Sequence, residues 1–117
     1  MPPASHQERG LAILDLTMHF LLFYDVVDDY VNRRAPYRSE HLSLIQEAYD
    51  RGELVIAGAL ADPPDGAVLV FRSSPAPAEA FAEADPYVRN GLVKSWRVRK
   101  WNTVVGDGAQ MPPQTAQ

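Results

Sequence analysis

A chain of 117 residues with 46% hydrophobic side chains is long enough for one domain with one core, and too apolar to be disordered throughout. A net charge of −4, with lysines and arginines scattered along the chain, excludes the basic stripe that would neutralise a nucleic-acid backbone. The absence of cysteine removes disulfides, thiolate metal sites and cysteine nucleophiles.

Taken in chain order, residues 1–16 open with prolines and polar side chains and then turn mildly apolar, with His6 expected to be solvated. The apolar run Leu11 to Tyr24 contains Asp15 and His19 and is too short and too polar to span a bilayer. No basic segment with a small-residue cleavage site marks a signal peptide, so a cytoplasmic protein without a membrane partner is expected. Met18 to Tyr24 is β-rich and apolar on both alternating faces except at His19, which is expected to be a packed or interface histidine. A strand of this kind has to be covered on both faces.

Asp25 to Pro36 fits a loop or short helical turn. Arg38 to Gly52 follows as an amphipathic helix, with Leu42, Ile45 and Tyr49, joined by Leu44 and Ala48, predicted as its buried stripe. Gly52 supplies the left-handed stop. Glu53 to Leu60 reads as a second strand, in which Gly58 suggests a bulge or a close approach to the backbone. Asp62-Pro-Pro-Asp-Gly66 is a turn leading into a third strand, Ala67 to Arg72. Ser73 and Ser74 before Pro75 resemble a helix cap, and Ala76 to Ala84 is the helix, anchored by Phe81. Asp85-Pro86 breaks it and begins a short turn ending at Gly91. Leu92 to Trp101 alternates as a fourth strand with Trp96 and Val98 on one side. The domain is expected over 18–104, with a flexible tail over 105–117.

This order predicts an α+β fold: a ferredoxin-like βαββαβ sandwich, with a four-stranded antiparallel sheet and two helices on one face. The other face would be a large apolar patch. Its expected cover is the same face of a second copy, giving a homodimer, or a higher oligomer, packed sheet to sheet.

Among candidates for chemistry, His41 stands in the first turn of the first long helix, at the edge of its apolar stripe. A packing role is the plain alternative. Asp85 before Pro86 is what a helix cap and first position require, and its carboxylate has lone pairs to spare for His41. A His–Asp pair is the minimal general acid–base unit. Arg38 could bind a substrate carboxylate or phenolate, or pair with a surface acid. Tyr24 and Tyr87 could present hydroxyls to a cleft or simply pack. No clustered ligand set suggests a metal, and no glycine-rich phosphate loop suggests a nucleotide, so no cofactor is expected.

Arg38-x-x-His41-Leu42, Gly52-x-Leu54, Ala57-Gly58, Ala84-Asp85-Pro86-Tyr87-Val88-x-x-Gly91-Leu92 and Trp96-x-Val98-x-x-Trp101 occur in order over roughly Met18 to Trp101. In this the chain resembles the YciI-like, or YCII-related, proteins. The resemblance implies a dimeric α/β barrel built from ferredoxin-like subunits, and Met18-His-Phe-Leu-Leu-Phe-Tyr is similar to the family's usual start, which implies that residues 1–17 are an N-terminal extension or an upstream-start artefact. The resemblance also implies a cleft with a His–Asp pair at His41 and Asp85, with Arg38 nearby. Gly58 falls on the family's Ala-Gly pair; many members follow it with proline where this chain has Ala59, which implies a different pocket wall. The best-known activity in the wider group is a dehydrochlorinase acting on a chlorinated hydroxyquinol without a redox cofactor. Two readings follow: a cofactor-independent lyase or isomerase on a small cyclic or phenolic substrate, and a non-catalytic dimeric ligand-binding or structural module.

Overall fold

A computed structural model describes residues 17–109. The expected extension, apart from Thr17, and the tail beyond 109 lie outside the described residues. The strands are β1 (His19–Val26), β2 (Leu54–Ala59), β3 (Gly66–Arg72) and β4 (Val93–Trp101). The helices are α1 (Tyr30–Arg33), α2 (Arg38–Asp50), α3 (Ala76–Ala84) and α4 (Pro86–Arg89), with a 3-10 turn at Ala35–Tyr37 between α1 and α2. The strands form one antiparallel sheet in the order β2-β3-β1-β4. This is the predicted ferredoxin-like α+β sandwich.

Leu22 of β1 pairs with Leu69 on one side and Val98 on the other, and Tyr24 pairs with Ala67 and Trp96. These side chains face the helices. Together with Phe71, Ala48 of α2, and Ala78, Phe81 and Ala82 of α3, they make the core. Small alanines on the helices let α3 lie close to the sheet, so the large side chains of the strands fill the layer between them. Gly52, at φ +83°, ends α2 as its position predicts, and the Glu53 amide returns to the Ala48 carbonyl at 3.0 Å.

Three local expectations are corrected. Leu42 and Tyr49 are 44% and 57% exposed, whereas His41 and Ala48 are buried and Leu44 and Ile45 half-buried. The helix is turned so that the His41–Ile45–Ala48 line meets the sheet, and Leu42 faces a cavity beside it. The serines do not cap α3: Pro75 holds the cap position without a side-chain bond, and Ser73 lies at φ +84° with its amide bound to the Met18 carbonyl. Sheet pairing thus claims the residue that local chemistry assigned to the helix. Gly58 is in regular register with Val68, and the register shift falls between Leu54 and Ile56.

Gly66 is where glycine is required for space. A β-carbon there would lie 2.6 Å from the Tyr24 carbonyl oxygen, which belongs to the central strand and cannot retreat alone. Gly66→Ala is expected to cost about 1–3 kcal/mol through overpacking. Urea unfolding should show a lower midpoint with an unchanged slope; an unchanged midpoint would mean the sheet yields there freely.

The opposite sheet face carries Leu21 and Phe23 of β1, Val68 and Val70 of β3 and Ile56 of β2, by the same registers. None of the described helices covers it. On β4 it carries Arg97, whose guanidinium lies 4.5 Å over the Phe23 ring and 3.7 Å from Asp25.

Candidate functional site

Asp85 joins α3 to α4 in an extended conformation, and Pro86 takes the first position of α4. Its side chain is fully buried. The Tyr87 amide donates to Oδ1 at 2.9 Å, which is the cap the sequence predicts. The Tyr24 hydroxyl, rising from the middle of the sheet, donates to Oδ2 at 2.7 Å. His41 Nδ1 lies 2.9 Å from Oδ1 and 3.0 Å from Oδ2. The carboxyl therefore gathers donors from β1, α2 and α4 at one point.

With donors on both oxygens, Asp85 presents only lone pairs to the histidine. His41 Nδ1 must then carry a hydrogen, so that in the neutral ring the lone pair is on Nε2. The ring is clamped in place: Tyr87 stacks on it at 3.8 Å between centroids and 10° between planes, and Phe81 meets its edge at 6.2 Å. These contacts fix the imidazole plane before any ligand arrives.

His41 borders a cavity of about 210 Å³, room for one small ring. Tyr24, Tyr30 and Tyr87 form its aromatic wall; Leu42 and Ile45 of α2 close one side, and Ala57, Gly58 and Ala59 of β2 close another. Arg34 and Arg38 complete the lining. All the expected site residues except Asp85 therefore line one cavity, and Asp85 stands behind His41. A β-carbon at Gly58 would meet nothing within 4 Å, so the side of the strand where it would stand is open space.

Burial raises the pKa of the Tyr24 hydroxyl far above the tyrosine range, and the charge and hydrogen bond of Asp85 push the same way. Tyr24 is thus a standing donor to Asp85, its hydroxyl already spent. Burial also raises the Tyr87 hydroxyl, with Tyr30 adding to it, while Arg38 and Arg34 pull it down. That hydroxyl has no hydrogen-bond partner in proper geometry.

Arg34 and Tyr30 were not anticipated from sequence. Arg34 stands four residues before Arg38, a spacing that would place both on one helical face, but the segment reads as a loop. Among the described residues no group of three or more His, Cys, Asp or Glu side chains could hold a metal, and no helix is long and apolar enough to cross a membrane.

Residues 18–102 match the YCII-related domain. No curated protein matches the chain. Among solved structures, 5-chloro-2-hydroxyhydroquinone dehydrochlorinase from Burkholderia phenoliruptrix, in complex with 2,5-dihydroxybenzoquinone, is similar with a TM-score of 0.62 and 19% identity, over 79% of this chain and 99% of that one. A protein from Agrobacterium tumefaciens is similar with a TM-score of 0.45 and 14% identity, over 81% of this chain and 99% of that one.

Proposed function

The chain belongs to the YCII-related domain family, and on that footing we propose that its cavity is the active site of a small acid–base enzyme, a lyase or isomerase acting on a cyclic or phenolic substrate. The observation that carries this reading is the buried His41–Asp85 pair at 2.9 Å, at the wall of a cavity sized for one ring. His41 Nε2 takes a proton from the substrate, and the Asp85 carboxylate balances the imidazolium that forms. Arg38 holds an anionic oxygen of the substrate. In an elimination, the electron pair of the broken bond to hydrogen forms the new double bond as halide leaves with its own pair. In an isomerisation, His41 returns the proton to another atom of the ring. Side chains alone perform these steps, with neither cofactor nor metal.

The fold's similarity to a dehydrochlorinase makes chlorinated hydroxyquinols the first substrates to try. Positioned proton transfer contributes roughly 10²–10⁴-fold in rate. His41→Ala is therefore expected to lower chloride release from 5-chloro-2-hydroxyhydroquinone and its ring analogues by about that factor. Equal rates in wild type and variant would sink the enzyme reading, and tight ligand binding without turnover across the panel would favour a binding module.

For the open sheet face we propose a second copy of the chain as cover, two sheets packing face to face about a two-fold axis. Leu21, Phe23, Ile56, Val68 and Val70 form a self-complementary apolar centre there, rimmed on one side by the charges of β4.

A further inference from the structure

We propose that Arg34 and Arg38 together form a carboxylate-binding subsite, so that the ligand of this cavity is a small ring bearing a carboxylate group. The inference rests on reading the cavity as a ligand site, and it needs no turnover to be tested.

Three observations converge on it. Both guanidiniums belong to residues lining the cavity, whose lining includes no aspartate or glutamate. Among the described residues the ion pairs are His41–Asp85, Arg51–Glu53 and Arg97–Asp25, so neither arginine is neutralised by an acid. An arginine left without an acid at the surface is common, but two of them converging on one small cavity is a concentration of charge that an anion would relieve.

The second observation is that Arg34 is held in place without an anion. It is half-buried, and its guanidinium lies 5.2 Å from the centroid of the Tyr30 ring. Tyr30 in turn meets Tyr87 edge-on at 5.7 Å. A planar fork held over an aromatic face is oriented before binding, so less side-chain freedom is lost when an oxyanion docks.

The third observation is the Tyr87 hydroxyl. Tyr87 is 1% exposed and lines the cavity, and its hydroxyl lies close enough to Arg38 to have its pKa pulled down by it, yet it makes no hydrogen bond of proper geometry. A buried hydroxyl so poorly paired costs free energy that a ligand oxygen held between it and Arg38 would recover. A lone phenolate oxygen is served by one guanidinium. Two guanidiniums with a hydroxyl beside them suit a group that spreads its charge over two oxygens, which is the carboxylate geometry. His41 is then left free to act at another edge of the same ring.

The test uses the full-length protein and two isosteric probes, benzoate and benzamide, with binding followed by NMR and calorimetry. Benzoate is expected to bind about 10- to 100-fold more tightly than benzamide, the range of one or two charge-assisted hydrogen bonds, and to weaken as salt is raised. Arg34→Gln should remove about tenfold of the benzoate affinity and leave benzamide unchanged. Arg33→Gln, altering an exposed arginine outside the cavity lining, should alter neither. Equal binding of the two probes, no benzoate binding at millimolar concentration, or an Arg34→Gln variant with wild-type affinity would each overturn the subsite. Benzoate selectivity without turnover of any substrate would count against the enzyme reading alone. Turnover without carboxylate preference would count against this subsite alone.

Discussion

Asp85→Asn is expected to lower turnover by about 10²–10⁴-fold while the protein stays folded. The reason lies in hydrogen positions. In the wild type, Asp85 accepts from the Tyr87 amide, the Tyr24 hydroxyl and His41 Nδ1. Asparagine keeps one accepting oxygen, which satisfies the α4 cap, and caps of this type work nearly as well as aspartate. Its amide group then faces Tyr24 and His41 as a donor. The Tyr24 hydroxyl can rotate and accept, while His41 Nδ1, at 2.9 Å from the retained oxygen and 3.0 Å from the new amide group, no longer faces lone pairs alone. Any shift of the hydrogen to Nε2 removes the proposed base, and the carboxylate charge that would balance its cation is gone with either tautomer. Nitrogen NMR of the imidazole should report hydrogen on Nδ1 in the wild type and a larger share of it on Nε2 in the variant, with thermal midpoints close together. Asp85→Ala behaves differently, because it strands three donors in the core at a cost of about 1–3 kcal/mol for each one left unsatisfied. Near-wild-type turnover in Asp85→Asn would remove Asp85 from the mechanism.

Ile56→Glu is expected to convert a dimer into a folded monomer. Ile56 is 67% exposed in the single chain although it sits in a strand, beside Val70 on the face opposite the helices. Burying such a side chain against a second copy contributes roughly 1.5–3 kcal/mol, and two-fold symmetry counts it twice. A glutamate there would meet apolar surface with no partner charge, so the substitution both removes the gain and adds a desolvation cost. In the monomer the same glutamate reaches water, and stability should hardly change. Sedimentation velocity should show about half the wild-type mass, with the far-UV spectrum preserved. A wild type that is already monomeric at micromolar concentration would refute the second copy as the cover of this face.

Much of the fold was readable because its signals are local. Asp62-Pro-Pro-Asp-Gly66 can hardly be other than a turn, and Asp85-Pro86 fixes both the end of one helix and the start of the next. Strand alternation then ordered the elements, and the separation of β1 from β4 in sequence did not matter because the two-helix sandwich has few ways to close. The failures share one cause. Helical periodicity reveals that α2 has an apolar stripe, but the sheet decides which part of it is buried, and here it chose Ala48 over Leu42 and Tyr49. Ser73 looked like a cap until pairing with Met18 claimed its backbone. At the site, His41 and Asp85 were visible as residue types with suitable neighbours. That Tyr24 spends its hydroxyl on Asp85, and that Arg34 shares a wall with Arg38, depend on directions of side chains that spacing does not encode.

Asp85 has a further consequence for how such a protein can change over generations. Its two carboxyl oxygens close the start of α4, tie the sheet to that helix and orient the imidazole. The fold and the proposed chemistry therefore draw on the same atoms, and only a near-isosteric change such as Asp85→Asn is expected to separate them. If the cavity is a substrate site as proposed, change of specificity is expected on its far side, where Leu42, Ile45 and the Ala57 to Ala59 segment supply shape and no hydrogen bond to the pair. Lineages of this fold should accordingly drift in pocket contour while this junction stays still.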